Sequence, residues 1–134
     1  DVVVVGGGPA GATAAHEMAK RGRRTLLLDK AGRVKPCGGA VPPQLLVDFD
    51  VPRSQLVAEI DTARVISPRG KNVDIPVGDG FVGMVDRGSF DEWLRQRAVD
   101  FGAERITGFF DRIERERDGT AVVVYKEAGS RNGQ

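Results

Sequence analysis

The sequence predicts an α/β domain built on a parallel β-sheet. Three observations carry that reading: a short apolar strand at the start of the chain, a glycine-rich turn that opens an alanine-rich helix, and a second apolar strand that ends in an acid. Val2–Val5 is four β-branched residues in a row, which reads as a strand buried on both faces and central in its sheet. Pro9 stands where a helix would begin, at a position that needs no backbone N–H. The helix expected from it, Pro9–Arg21, carries Ala10, Ala12, Ala14, Ala15 and Ala19 and stops at Gly22, a natural C-cap. The second strand, Thr25–Leu28, leads into Asp29.

Gly6, Gly8 and Gly11 between strand and helix have the spacing G-x-G-x-x-G. Each has a separate task in a Rossmann-like dinucleotide fold. Gly6 permits the tight turn, Gly8 lets a pyrophosphate approach the backbone, and Gly11 lets the helix pack close to the strand. The helix N-terminus offers N–H groups and a partial positive charge to the phosphate. Asp29, at the tip of the second strand, suits hydrogen bonding to a ribose diol. Its charge would repel a 2′-phosphate, so NADP is not expected as the dinucleotide held here.

Composition excludes several classes. The 134 residues hold 20 Lys plus Arg against 19 Asp plus Glu, and a net charge of +1 gives no reason to expect nucleic acid. No apolar run approaches the ~20 residues that span a bilayer. No signal peptide is visible, and the absence of an initiating Met suggests a trimmed or incomplete chain. Cys37 is the lone cysteine, which suits a reducing cytosol, and His16 the lone histidine, so no metal cluster is expected. His16 lies among Glu17, Lys20 and Arg21 and reads as a surface residue.

After Asp29 the regular pattern stops. Lys30–Val41 has no helical or alternating period and reads as a functional loop. Pro36 fixes the backbone before Cys37, and Gly38 and Gly39 clear side chains from the path, as beside a flat ligand. A short helix is expected over Gln44–Asp48 and a further helical turn or two over Ser54–Ile60. Thr62–Ser67 and Asn72–Val77 flank Pro68-Arg69-Gly70-Lys71 and read as an inserted β-hairpin. Phe81–Val85 is a short strand leading to Asp86-Arg87. Ser89 is the expected N-cap of a helix Phe90–Phe101, with Trp93 as a core anchor. Ala103–Thr107 is a candidate parallel strand. Phe109–Arg115 and Thr120–Lys126 pair around Asp118-Gly119, with the charges of RIERERD on a solvated face. The tail Ala128–Gln134 is expected to be loose.

Three stretches, DVVVVGGGPAGATAA, TLLLDKAGRVKPCGGAVP and GFVGMVDRGSFDEWLRQRAVDFGAE, together resemble geranylgeranyl reductases. These are FAD-dependent enzymes that saturate isoprenoid double bonds. The likeness is strongest to the branch acting on geranylgeranyl diphosphate and on the chlorophyll or bacteriochlorophyll side chain. The first stretch is shared by many flavoproteins related to aromatic hydroxylases, whereas KPCGGA is much more specific.

The resemblance implies roles. Gly6, Gly8, Ala10 and Gly11 would contact the FAD pyrophosphate, Asp29 the adenosine ribose, and Lys30 the cofactor beside it. Cys37, Gly38, Gly39 and Ala40 match the loop along the flavin ring, and Arg87 matches an arginine that contacts the dinucleotide. Cys37 is the candidate proton donor; the other reading is a small side chain that simply fits. NADPH would reduce the flavin without a second nucleotide fold. Expected partners are a geranylgeranyl-bearing small molecule or pigment and peripheral contact with a photosynthetic membrane, in a cytoplasmic setting. Family members are considerably longer, so the resemblance makes residues 1–134 a partial FAD-binding domain with the substrate domain largely absent. The alternatives are a flavin monooxygenase or halogenase, an archaeal-type lipid geranylgeranyl reductase, or an FAD-binding fragment without activity.

Overall fold

The computed structural model describes residues 1–30, 34, 36–78 and 80–128. The chain divides into two compact units, Asp1–Val34 with Asp91–Gln134, and Lys35–Phe90.

In the first unit, strand β1 (Val2–Val5) leads into helix α1 (Pro9–Lys20) and strand β2 (Thr25–Asp29). The sheet order is β1, β2, β8, β9, with β8 covering Glu104–Arg115 and β9 covering Ala121–Glu127. β1 and β2 run parallel, Val2 opposite Thr25 and Val5 opposite Leu28. β2 and β8 are also parallel, Leu26 opposite Glu104 and Asp29 opposite Thr107. The α/β class and the parallel sheet are as expected. The place of β1 is not. β1 lies at the edge of the described sheet, and the buried centre is β2, whose Leu27 and Leu28 are almost wholly enclosed. Val3 and Val5 remain 42% and 48% exposed. Four valines mark a strand, but they do not say how many neighbours cover it. Only Val4 packs into the cluster of Ala15, Ala19, Leu27, Ala98 and Ala103.

That cluster is built largely from alanines because α1 lies close against the sheet. A Cβ on Gly11 would fall 1.8 Å from the Gly6 carbonyl oxygen, so the helix can start where it does only without a side chain there. α1 ends in a Schellman motif. Gly22, at φ +72°, donates to Ala19, and Arg23 donates to Met18.

His16 is buried, contrary to its expected surface position. The ring of Phe101 stands edge-on to it, with centroids 4.6 Å apart. An alanine-rich helix has too little contrast between its faces for the wet side to be read from local charges. Its Nδ1 lies 3.4 Å from Glu17 Oε1 without a hydrogen bond between them.

Helix α3 (Arg87–Asp100) also departs from expectation at its start. Asp86, not Ser89, is the cap. Its Oδ1 accepts from the Ser89 N–H at 2.9 Å, and these hydrogen bonds hold its carboxyl below the usual range. The buried face of the helix is Phe90, Leu94 and Ala98, while Phe101 just beyond its end is half exposed. Trp93 is only half-buried, with the Arg97 guanidinium 4.7 Å from its ring centroid, so it is not the core anchor expected. α3 closes in a second Schellman pair, Gly102 donating to Val99 and Ala103 to Ala98.

The two strands expected over Ala103–Thr107 and Phe109–Arg115 are one continuous strand, β8. Its first part pairs with β2 and its second, from Gly108, pairs antiparallel with β9. Gly108 marks the crossover, where a Cβ would lie 2.8 Å from the Lys126 carbonyl oxygen. Asp118-Gly119 makes the turn as expected, Gly119 at φ +88°. Arg112 pairs with Asp111 and Glu114 on the exposed strand. Beyond Ala128, the tail expected to be loose lies outside the described residues.

In the second unit, β3 (Ala40–Val41), β7 (Val82–Val85) and β4 (Leu56–Ile60) form an antiparallel sheet in that order. Helix α2 (Pro43–Asp48) begins on a proline. The helical turns expected over Ser54–Ile60 shrink to a single 3₁₀ turn, Arg53–Gln55, before β4. Pairing with β7 decides this, since Leu56–Ile60 has no local signal as strong as the ladder it joins. The hairpin of β5 (Thr62–Ile66) and β6 (Asn72–Pro76) is as expected, with Arg64 and Asp74 paired across it. No described helix is long and apolar enough to cross a membrane.

Two outcomes test this packing. Gly11→Ala should destabilise the fold by about 1–3 kcal/mol in urea unfolding, because the new methyl group meets backbone. Unchanged stability would show that α1 can shift freely. The second concerns His16. Burial first, then the Arg97 charge, lowers its pKa below 6.5, Lys20 adding to this and Glu17 opposing it. The unfolded chain therefore takes up a proton near pH 6.5 that the folded chain refuses. The stabilisation is present above pH 6.5 and is lost as pH falls towards the folded pKa. Unfolding measured across this range should be steeper in pH for the wild type than for His16→Gln. Parallel curves would mean that His16 titrates normally.

Candidate functional site

The glycine turn of the first unit is shaped from three directions. Gly6, at φ +103°, turns the chain out of β1, and its N–H donates to Leu28 of β2 at 2.8 Å. Gly7 is buried, and its N–H donates to Asp29 Oδ1 at 2.9 Å. The Gly7 carbonyl accepts from Arg95 NH1 of α3 at 2.8 Å. A Cβ on Gly7 would lie 2.8 Å from Asp29 Cγ and 2.9 Å from Arg95 Cδ. So the glycine that the motif leaves as x is sterically constrained, as Gly11 is.

Gly8 is the contrast. It is exposed, its φ of −72° suits any residue, and a Cβ there would meet nothing within 4 Å. It precedes α1 as the N-cap, with no side chain capping the helix and no acid in the first turn. Ala10 is exposed beside it. The start of α1 thus keeps an open space with no acid in the helix's own first turn, which fits an anion.

Asp29, at the end of β2, holds the turn at Gly7. Its Oδ2 lies 3.8 Å from Arg95 NH1. Arg95 Nε donates to Glu92 Oε2 at 2.9 Å, and Arg105 of β8 reaches both oxygens of Glu92. The Arg105 hydrogen bond is the main reason the Glu92 carboxyl is held below its usual range, with Arg95 adding to it. Acid and base therefore alternate from Asp29 to Arg105. The sequence reading missed Gly7, Arg95 and Glu92. The i, i+3 spacing of Glu92 and Arg95 marks a pair on one helix face, but not what that face meets. Lys30, next to Asp29, is exposed.

The remaining expected residues belong to the second unit. Cys37 is exposed, and its Sγ accepts from the Gly39 N–H at 3.4 Å. A Cβ on Gly38 would meet nothing within 4 Å. Gly39 has its own structural reason. It is buried at φ +74°, a Cβ there would fall 2.1 Å from the Val85 carbonyl oxygen, and its carbonyl accepts from the Val85 N–H. Ala40 pairs with Met84 at the sheet edge. Arg87 is the first residue of α3 and is half-buried. Residues 31–33 and 35 of the expected Lys30–Val41 loop lie outside the described residues. Among the described residues there is no group of side chains that could hold a metal ion.

Residues 1–65 match the family described as FAD dependent oxidoreductase. A geranylgeranyl diphosphate reductase of Rhodobacter capsulatus is 61% identical over 127 residues, covering 95% of this chain and 32% of the relative. Over almost its whole length the chain is similar to geranylgeranyl reductases. It spans about a third of the length of that relative. A geranylgeranyl bacteriochlorophyll reductase-like crystal structure from Thermoplasma acidophilum matches with a TM-score of 0.76 at 28% identity, over 94% of this chain and 37% of the other. The flavin-dependent brominase Bmp2 matches almost as well, with a TM-score of 0.75 over 96% of this chain and 34% of the other, but at 24% identity. That likeness is one of fold. The fold is thus common to reductases and halogenases, and the side chains have to distinguish them.

Proposed function

We propose that this chain provides the FAD-binding part of a geranylgeranyl reductase, an enzyme that reduces isoprenoid double bonds of a geranylgeranyl group. The group is carried as the diphosphate or as the (bacterio)chlorophyll ester, and NADPH is the electron source. The 61% identity to a geranylgeranyl diphosphate reductase carries the reading. The glycine turn supports it, since the open space at Gly8 and the adjoining Asp29 suit a pyrophosphate and a ribose.

In this reading, the backbone at Gly6, Gly8, Ala10 and Gly11 receives the pyrophosphate, Asp29 binds the adenosine ribose with Lys30 beside it, and Arg87 contacts the dinucleotide. Cys37, Gly38, Gly39 and Ala40 line the flavin ring. FAD supplies hydride chemistry when bound. The protein must hold the alkene in place, keep water out and deliver a proton. An isolated trisubstituted alkene has no carbonyl to polarise, so positioning carries more of the barrier. The Cys37 thiol is the proton donor in the proposed flavin loop.

The activity is tested with the full-length protein under anaerobic conditions, supplied with NADPH and geranylgeranyl diphosphate. Hydrogen addition to the isoprenoid, seen by mass spectrometry, is expected; flavin reduction without any reduced isoprenoid would overturn the substrate class. Two variants probe the site. Gly8→Ser should keep stability within about 0.5 kcal/mol, because its side chain enters open space, yet bind FAD more weakly in a fluorescence titration. Equal FAD affinity would remove Gly8 from the cofactor site. Cys37→Ser and Cys37→Ala should slow single-turnover reduction of the isoprenoid by roughly 10²–10⁴-fold while NADPH still reduces the flavin. Rates close to wild type in both would leave Cys37 as a loop residue only.

A further inference from the structure

We propose that Arg95 is a positioning residue of the nucleotide site: by holding the Gly7 carbonyl, it turns the Gly8 N–H outward to receive the pyrophosphate. The inference rests on the FAD reading above and adds a residue outside the glycine motif. The argument is geometric. Every peptide bond in the described chain is trans. In a trans peptide the carbonyl and the following N–H point in opposite directions. The Gly7 carbonyl and the Gly8 N–H belong to one such peptide. Arg95 NH1 takes the carbonyl at 2.8 Å, so the N–H must point away from α3. With the peptide turned over, a carbonyl dipole would face the phosphates and repel them.

Arg95 is built to keep this hold. Its side chain is only 14% exposed. Nε is occupied by Glu92 at 2.9 Å, leaving NH1 aimed at Gly7. Glu92 is in turn fixed by Arg105, so the arrangement is braced from β8 as well as from α3. The preceding peptide is secured by Asp29, whose Oδ1 accepts from the Gly7 N–H. Two successive peptides of the turn are therefore oriented before any ligand arrives. The Arg95 charge, 3.8 Å from Asp29, also offsets a carboxylate that would otherwise oppose an anionic cofactor.

The test uses the full-length apo-protein titrated with FAD, for wild type, Arg95→Met and Glu92→Gln. Met keeps much of the arginine stem but cannot donate. Glu92→Gln leaves Arg95 in place and removes the charge that orients it. Arg95→Met is expected to weaken FAD binding roughly 10- to 100-fold, the change that follows the loss of a hydrogen bond to a charged group. The phosphorus NMR resonances of the bound pyrophosphate should also move, which loss of stability alone would not cause. Glu92→Gln should weaken binding several-fold and move the resonances in the same direction, and it decides the matter if Arg95→Met does not fold. Wild-type affinity and unmoved resonances in the folded variants would overturn the role of Arg95 alone. A wild type that binds no FAD would overturn the cofactor reading, and this inference with it.

Discussion

No side chain fits between residue 11 and the carbonyl of residue 6. The placement of α1 follows from that close approach. It lets α1 begin directly after β1 and lie near enough to the sheet for alanines to fill the interface. The helix N-terminus is thereby set over the end of the glycine turn, where Gly8 is open to solvent. A larger residue at position 11 would separate helix and strand, and the alanine cluster of Ala15, Ala19, Leu27, Ala98 and Ala103 would lose its fit. The packing constraint and the proposed anion site are thus two consequences of one missing Cβ.

Electrostatics then fixes what sterics leaves free. A glycine turn is permissive, and its peptides could point several ways. Here Asp29 and Arg95 hold the two peptides at Gly7, and Glu92 and Arg105 hold Arg95. Opposite charges alternate along this path, so each partly buried group has a neighbour to offset its desolvation. The order costs side-chain entropy on folding, but it spares the turn that cost when a ligand binds.

The second unit shows that a glycine in a ligand-like loop can serve the fold alone. Gly39 lies against the Val85 backbone at a positive φ, and no ligand is needed to explain it. Gly38 has no such neighbour. The two glycines of KPCGGA therefore answer to different constraints, and the Cys37 sulfur accepts from the Gly39 N–H beside them.

The sequence by itself determined the β-α-β order, the motif at Gly6, Gly8 and Gly11, the acid at the end of β2, both hairpins and the likeness to geranylgeranyl reductases. These are local facts. Spacing, turn chemistry and short apolar runs act within a few residues, so they are visible in one dimension. Tertiary structure alone decided that β1 lies at the edge of the described sheet, that His16 is buried against Phe101, and that Ser54–Ile60 gives way to strand β4. It also joined two expected strands into β8. In each case the deciding partner is supplied by the three-dimensional fold. Arg95 is the clearest example, because it meets Gly7 from 88 residues along the chain. Its local sequence marks only a charged helix face; the packing of α3 beside the turn gives that charge a carbonyl to hold.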